Sequence, residues 1–307
     1  MTKFASAKLP ATVGEMSPPC RIVTLQSESG VGLDGVIYSV EHPKAIVVHL
    51  HGSLGNFYQN HFLRTLASEY LQLGICLLSV NLRSHDGIAE AIDLDRQRTV
   101  YVGGALLPFE SCIPDIKGIL NWAEQWGIPI VLQGHSLGCD RVAAFALDRQ
   151  WTGPLVFLSP CDSKELQLRW ASASGVDWEV RTNSRDPSDE EMFSLLPVDS
   201  YGVIGSNELW KYAIPTSART LFSIMNGVPG TVFHLREELI SRLDNKGYCY
   251  IGASDEILTA PPDVFAKRIR CLAPNIAVNI HEGGRHDLSK TNGWACRDIA
   301  IGVAALI

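Results

Sequence analysis

Residues 128–150 read IPIVLQGHSLGCDRVAAFALDRQ, and the fold follows from how this stretch divides. Ile128 to Leu132 is a short apolar run without alternation, the pattern of a strand buried on both faces of a parallel sheet. Leu137 to Gln150 carries apolar residues at helical spacing. Between them lies Gly134-His135-Ser136-Leu137-Gly138, so a strand passes into a helix through a turn of a few residues bearing two glycines.

The same rhythm extends in both directions. Ala45 to Leu50 (AIVVHL) predicts a buried strand, Phe57 to Leu73 a helix closed by Gly74, and Ile75 to Val80 another buried strand. Ile113 to Trp126 predicts a helix stopped by Gly127, and Pro154 to Leu158 a strand. After a break the alternation resumes, with Tyr248 to Ile251 as strand, Asp263 to Cys271 as helix, Ile276 to Ile280 as strand and a last helix from about Asn292. Alternating strands and helices imply parallel pairing through right-handed crossovers. Residues 21–40 read instead as two opening strands around a Gly-rich turn. The expected fold class is therefore α/β, a mostly parallel central sheet flanked by helices.

The rhythm breaks between about Asp162 and Asp244, where Trp170, Trp178, Trp210 and several Phe and Tyr residues are interspersed with charged pieces such as NSRDPSDEE. Some 80 residues exceed an ordinary loop. The expectation is a core of 1–161 and 245–307, with 162–244 as an inserted, mainly helical cap over the C-terminal edge of the sheet, where open α/β sheets bind ligands.

Composition sets outer limits. Of 307 residues, 46% are hydrophobic and 19% charged, which favours a packed core over disorder. A net charge of −7 gives no reason to expect nucleic acid or an anionic membrane as partner. Eight cysteines stand singly without a C-x-x-C pair, which argues against zinc, and HEGGRHD lacks the H-E-x-x-H spacing. No metal and no cofactor is expected. No apolar run approaches 18 residues, and the first residues hold no continuous apolar stretch, so a reduced, cytoplasmic protein is the expectation. The apolar end from Ile299 to Ile307 reads as a packing helix. The oligomeric state is open.

G-x-S-x-G between a strand and a helix is the context in which a serine becomes a nucleophile. The helix N-terminus beside it favours developing negative charge. A serine hydroxyl needs an adjacent base, and that base an orienting group. Asp255, in YIGASDEIL, and His286, in HEGGRHDL, each follow a strand in the order acid then base. Asp263 is the rival acid, at a helix start after two prolines, and His281 the rival base, directly abutting its strand; Glu256 should point elsewhere. A tetrahedral oxyanion needs two preorganised donors. The backbone N–H of Leu137 is one; the loop His51-Gly52-Ser53-Leu54-Gly55-Asn56 supplies the other, from Ser53 or alternatively Leu54. His51 reads as structural beneath that loop and His49 as core. Arg83 either lines the site or ties loops together, and Asp115 and Asp140 read as ordinary helix residues.

The segments AIVVHLHGSLGN, IVLQGHSLGCD, YIGASDEIL and HEGGRHDL together resemble the α/β-hydrolase superfamily, in order and in strand context. The resemblance implies Ser136 as nucleophile, Asp255 as acid, His286 as base, and Ser53 and Leu137 as oxyanion donors. It implies a serine hydrolase of the esterase, lipase or thioesterase kind, acting on a small-molecule acyl substrate, here an ester, lactone or thioester. An aromatic-rich cap would favour a medium-sized, largely apolar substrate. Acyl transfer or cyclisation on the same triad, or a slow-turnover binding protein, are the alternatives. Two departures stand out: Asn81-Leu82-Arg83-Ser84 replaces the D-x-R-G of many relatives, and the loop reads HGSLGN in place of HGGG.

Overall fold

A computed structural model describes residues 18–53, 55–104, 106–107, 109–161, 242–288 and 292–307. The expected cap at 162–244 lies almost wholly outside the described residues, as do Leu54 and the first seventeen positions.

One eight-stranded sheet organises the rest. Its strands are β1 (Cys20–Gln26), β2 (Gly32–Tyr38), β3 (Ala45–Leu50), β4 (Ile75–Val80), β7 (Ile130–His135), β8 (Leu155–Leu158), β9 (Gly247–Gly252) and β10 (Ile276–His281), in the order β1-β2-β4-β3-β7-β8-β9-β10. The opening pair is antiparallel and β2 runs antiparallel to β4. From β4 to β10 every pairing is parallel. The continuous apolar runs lie where a two-sided core requires them: every residue of β3, β4, β7, β8 and β9 is buried. Between β4 and β7 a hairpin of β5 (Ala89–Asp93) and β6 (Arg98–Val102) forms a separate two-stranded sheet. The sequence reading did not anticipate it.

Helices cover both faces: α1 (Phe62–Gln72), α2 (Cys112–Ala123), α3 (Leu137–Asp148), α4 (Pro262–Leu272) and α5 (Asn292–Ala304). One cluster sets α2, α3 and α4 against the sheet through Ile119, Val142, Phe145 and Phe265. The other sets α1 and α5 against the opposite face through Leu66, Tyr70, Ile299 and Val303, so the chain's apolar end is a packing helix, as its composition suggests. Among the described residues no helix is long and apolar enough to cross a membrane.

Two of the boundaries that differ from expectation bear on the site. Helix α1 begins at Phe62, not at Phe57. The intervening backbone is held elsewhere: the Asn56 side chain accepts from Gln59 N–H (2.8 Å), and Asn81 Oδ1 accepts from Phe57 N–H (2.9 Å). Such side-chain bonds compete with a first helical turn. Strand β7 runs on to His135, because Gly134 pairs with Leu50 and His135 with Leu158. Ser136 is thus the single hinge residue between strand and helix.

Candidate active site

The turn at Ser136 is strained. Its φ is 55° and ψ −125°, values that a non-glycine residue holds only where its surroundings impose them, at a cost of about 1–3 kcal/mol. The flanking glycines allow the sharp passage. A Cβ on Gly134 would strike the Gly138 carbonyl, and one on Gly138 would strike the Leu50 carbonyl at the end of β3. The start of α3 is therefore pressed onto the sheet's C-terminal edge. Ser136 N–H donates to Leu158 O (3.0 Å), fixing the turn to β8 as well. The hydroxyl-bearing residue is left partly exposed at the edge.

The loop after β3 closes one side. A Cβ on Gly52 would lie 2.9 Å from Ser136 Cβ and 3.4 Å from its Oγ, so the loop backbone touches Ser136 through a residue without a side chain. His51 is buried beneath it. Its Nε2 accepts from Leu82 N–H (3.1 Å), which puts the ring proton on Nδ1, and Nδ1 donates to Gly52 O (2.8 Å). Burial, then the neighbouring Arg141 cation, holds this imidazole well below the usual histidine range, so it is neutral. Leu137 opens α3 and Ser53 sits exposed on the loop. The first N–H groups of a helix have no partner within it.

On the other side stand Asp255 and His286. Asp255 follows β9 and His286 follows β10, neighbouring parallel strands whose pairing runs to Gly252 and His281. Both are buried, at 9% and 8% exposure. His286 Nδ1 lies 3.1 and 3.0 Å from the two Asp255 carboxylate oxygens, so Nδ1 carries the proton and Nε2 keeps its lone pair. Asp255 Oδ1 also accepts from Ile257 N–H (3.0 Å), which orients the carboxylate.

The rivals take other places. His281 pairs with Asp298 on α5 (2.9 Å), and Asp263 is exposed in the first turn of α4. Glu256 bonds the His286 backbone and a neighbouring cation: it accepts from Arg285 (2.8 Å) and from His286 N–H (3.3 Å). Arg83 ties the loop after β4 to the start of α2, bonding Asp115 through Nε (2.6 Å) and Ser111 O through Nη2 (3.0 Å). Asp115 and Asp140 are not ordinary surface helix residues, since both are fully buried. His49 is core, bonded to Gln133 (2.8 Å) and pushed down to about 3 by burial, then by the nearby His135.

One residue bonded to the His286 loop was not singled out in the sequence. His135, the variable position before Ser136, lies between Phe62 and His286, with ring centroids 5.0 Å from each. Its Nε2–H donates to the His286 carbonyl (2.8 Å). Burial, and next the adjacent His286, push its imidazole down to about 4. The Ser136 turn and the His286 loop are therefore joined directly. The only signal was a histidine within a strand-end motif, where a core role is the default.

A mostly parallel sheet of this order, with a strained serine between β7 and α3 and a His–Asp pair after β9 and β10, has the α/β-hydrolase fold. No protein-family model matches the sequence, and no curated protein sequence matches it significantly. Solved structures do. An esterase of Pyrococcus furiosus is 16% identical with a TM-score of 0.60, over 94% of this chain and 92% of that one. A carboxylesterase from Bacillus subtilis is 12% identical with a TM-score of 0.56, over 94% and 93%. The thioesterase domain from the curacin biosynthetic pathway is 16% identical with a TM-score of 0.55, over 94% and 99%. At these identities the likeness is one of fold.

Proposed function

We propose that this chain is a serine hydrolase that cleaves a carboxylic ester, lactone or thioester through an acyl-enzyme on Ser136. The observation that carries the reading is the join at His135: the residue before a strained, partly exposed serine is hydrogen-bonded to the loop whose imidazole is oriented by a buried carboxylate. The neighbours of like fold, two esterases and a thioesterase, favour the same class.

Ser136 Oγ attacks the carbonyl carbon as His286 Nε2 takes its proton. The tetrahedral oxyanion is received by the Leu137 and Ser53 N–H groups. Collapse expels the alcohol or thiol, protonated by His286, and leaves the acyl group on Ser136. Water then attacks, giving a proton to His286, and collapse releases the acid and restores the serine. Asp255 stays ionised throughout, holding His286 in the Nδ1–H tautomer and favouring the imidazolium. The aromatic content of residues 162–244 supports a medium-sized, largely apolar acyl group. Turnover of p-nitrophenyl esters of graded chain length, with thioesters and lactones beside them, tests the proposal. Activity peaking at intermediate length fits it; no turnover of any of the three classes contradicts it.

A further inference from the structure

Arg141 lies one turn into α3 and, although charged, is 1% exposed. Taking a guanidinium out of water costs several kcal/mol unless its donors are matched. Its Nη1 donates to His51 O (2.8 Å) and lies 3.3 Å from Gly52 O, and its Nη2 donates to Ser84 Oγ (2.9 Å). Nη1 also lies 3.2 Å from His51 Nδ1; that nitrogen's proton goes to Gly52 O, so this is contact and not a hydrogen bond. Nε has no partner among the described residues, so the buried cation on the nucleophile's own helix is held by its terminal nitrogens, by Ser84 and by carbonyls of the loop that touches Ser136.

In a trans peptide the C=O and N–H are antiparallel. The Gly52 carbonyl is drawn inward by Arg141, by His51 Nδ1–H and by Gly55 N–H (3.2 Å). The N–H of the same peptide unit belongs to Ser53 and must point the opposite way, out of the core at the sheet edge. Gly52 itself faces Ser136. Resting on the reading of Ser136 as nucleophile, we propose that Arg141 is a positioning residue for the oxyanion site. Its buried guanidinium locks the His51 and Gly52 carbonyls so that the Ser53 N–H is presented to the developing oxyanion, and it ties that donor to the helix carrying the Leu137 N–H.

The test compares wild type, Arg141→Lys and Arg141→Met, with active sites counted by fluorophosphonate titration. Substrates are p-nitrophenyl esters, and the probe of the tetrahedral state is an aryl trifluoromethyl ketone. Losing an aligned oxyanion donor predicts that Arg141→Met lowers kcat per active site by about 10²-fold, with KM changed by less than about threefold. The ketone's inhibition constant should rise by the factor lost in kcat/KM, and Arg141→Lys should recover about tenfold by restoring a cation and a donor. Unchanged kcat per active site and unchanged ketone affinity, with only the folded fraction reduced, would overturn the proposal. If neither variant folds, a crystal structure of the wild-type ketone adduct decides. The Ser53 N–H on the ketone oxygen, with Arg141 still on the Gly52 carbonyl, supports it; that N–H turned away overturns it. Failure of the wild type itself to hydrolyse esters or to label at Ser136 would sink the nucleophile reading and this proposal with it, and is distinguishable because no variant is involved.

Discussion

Two of the described histidine–aspartate pairs, His286–Asp255 and His85–Asp86, lie wholly on loops that follow strands, and they differ in everything except chemistry. His286 and Asp255 are 31 residues apart, brought together by neighbouring strands, and their side chains are 10% and 1% exposed. His85 and Asp86 are adjacent in the chain, 2.7 Å apart, on the loop after β4, with Asp86 at a φ of 52°. Asp255 receives one further bond besides the imidazole, from Ile257 N–H. Asp86 also receives Tyr58 Oη–H (2.6 Å) and Asn56 Nδ2–H (2.8 Å), both from the segment that follows the Gly52 loop. Burial alone would raise the Asp86 carboxyl; the bonds from His85, Tyr58 and Asn56 outweigh it and hold the group down at about 2. One pair orients an imidazole on the loop that His135 joins to the Ser136 turn, and the other staples two loops. A His–Asp contact is therefore no signature of catalysis by itself; what distinguishes the first pair is the link through His135 to the strained turn at Ser136.

The largest expected effect tests that link. Ser136→Ala should lower kcat by on the order of 10⁴-fold or more while leaving the thermal midpoint near that of wild type, read by steady-state kinetics and calorimetry. Asp255→Asn should cost about 10³- to 10⁴-fold, because the amide favours the wrong tautomer of His286. Asp86→Asn should cost less than about tenfold in kcat/KM, since it loosens loops without touching the base. Comparable losses for the two aspartate variants would erase the distinction drawn between the pairs. Asp263→Asn should be silent.

A smaller effect concerns pH and stability. His135 and His49 titrate at about 4 and about 3 in the folded chain, against an ordinary 6.5, with burial the main cause in each. The unfolded chain therefore binds more protons over that interval, and stability falls as the pH drops below about 6.5, by at most about 1.4 kcal/mol per pH unit for each histidine. Urea midpoints between pH 6.5 and 5 measure this. His135→Gln should shallow the slope, and a wild-type midpoint constant across the interval would contradict the assignment.

The parallel sheet was legible because strands buried on both faces must be apolar at every position, as AIVVHL and ICLLSV are. The β5–β6 hairpin was illegible for the converse reason. It lies outside the main sheet, AEAID and RTVYV keep most of their residues at least partly exposed, and polarity hides the alternation. Ser136, Asp255 and His286 could be read because each follows its own strand, and their spacing restricts the choice. His135, Glu256 and Arg141 could not. Each acts through a backbone atom of a residue distant in sequence, and nothing local in the chain records such a bond.

The central claim is that Ser136 is the activated nucleophile, and covalent labelling tests it most directly. Folded protein incubated with a fluorophosphonate, digested and read by mass spectrometry should carry one adduct, on the peptide containing Ser136. The adduct should be absent from Ser136→Ala and form far more slowly in Asp255→Asn than in Asp86→Asn. An unlabelled Ser136 in folded wild-type protein, or equal labelling after Asp255→Asn, would contradict the account.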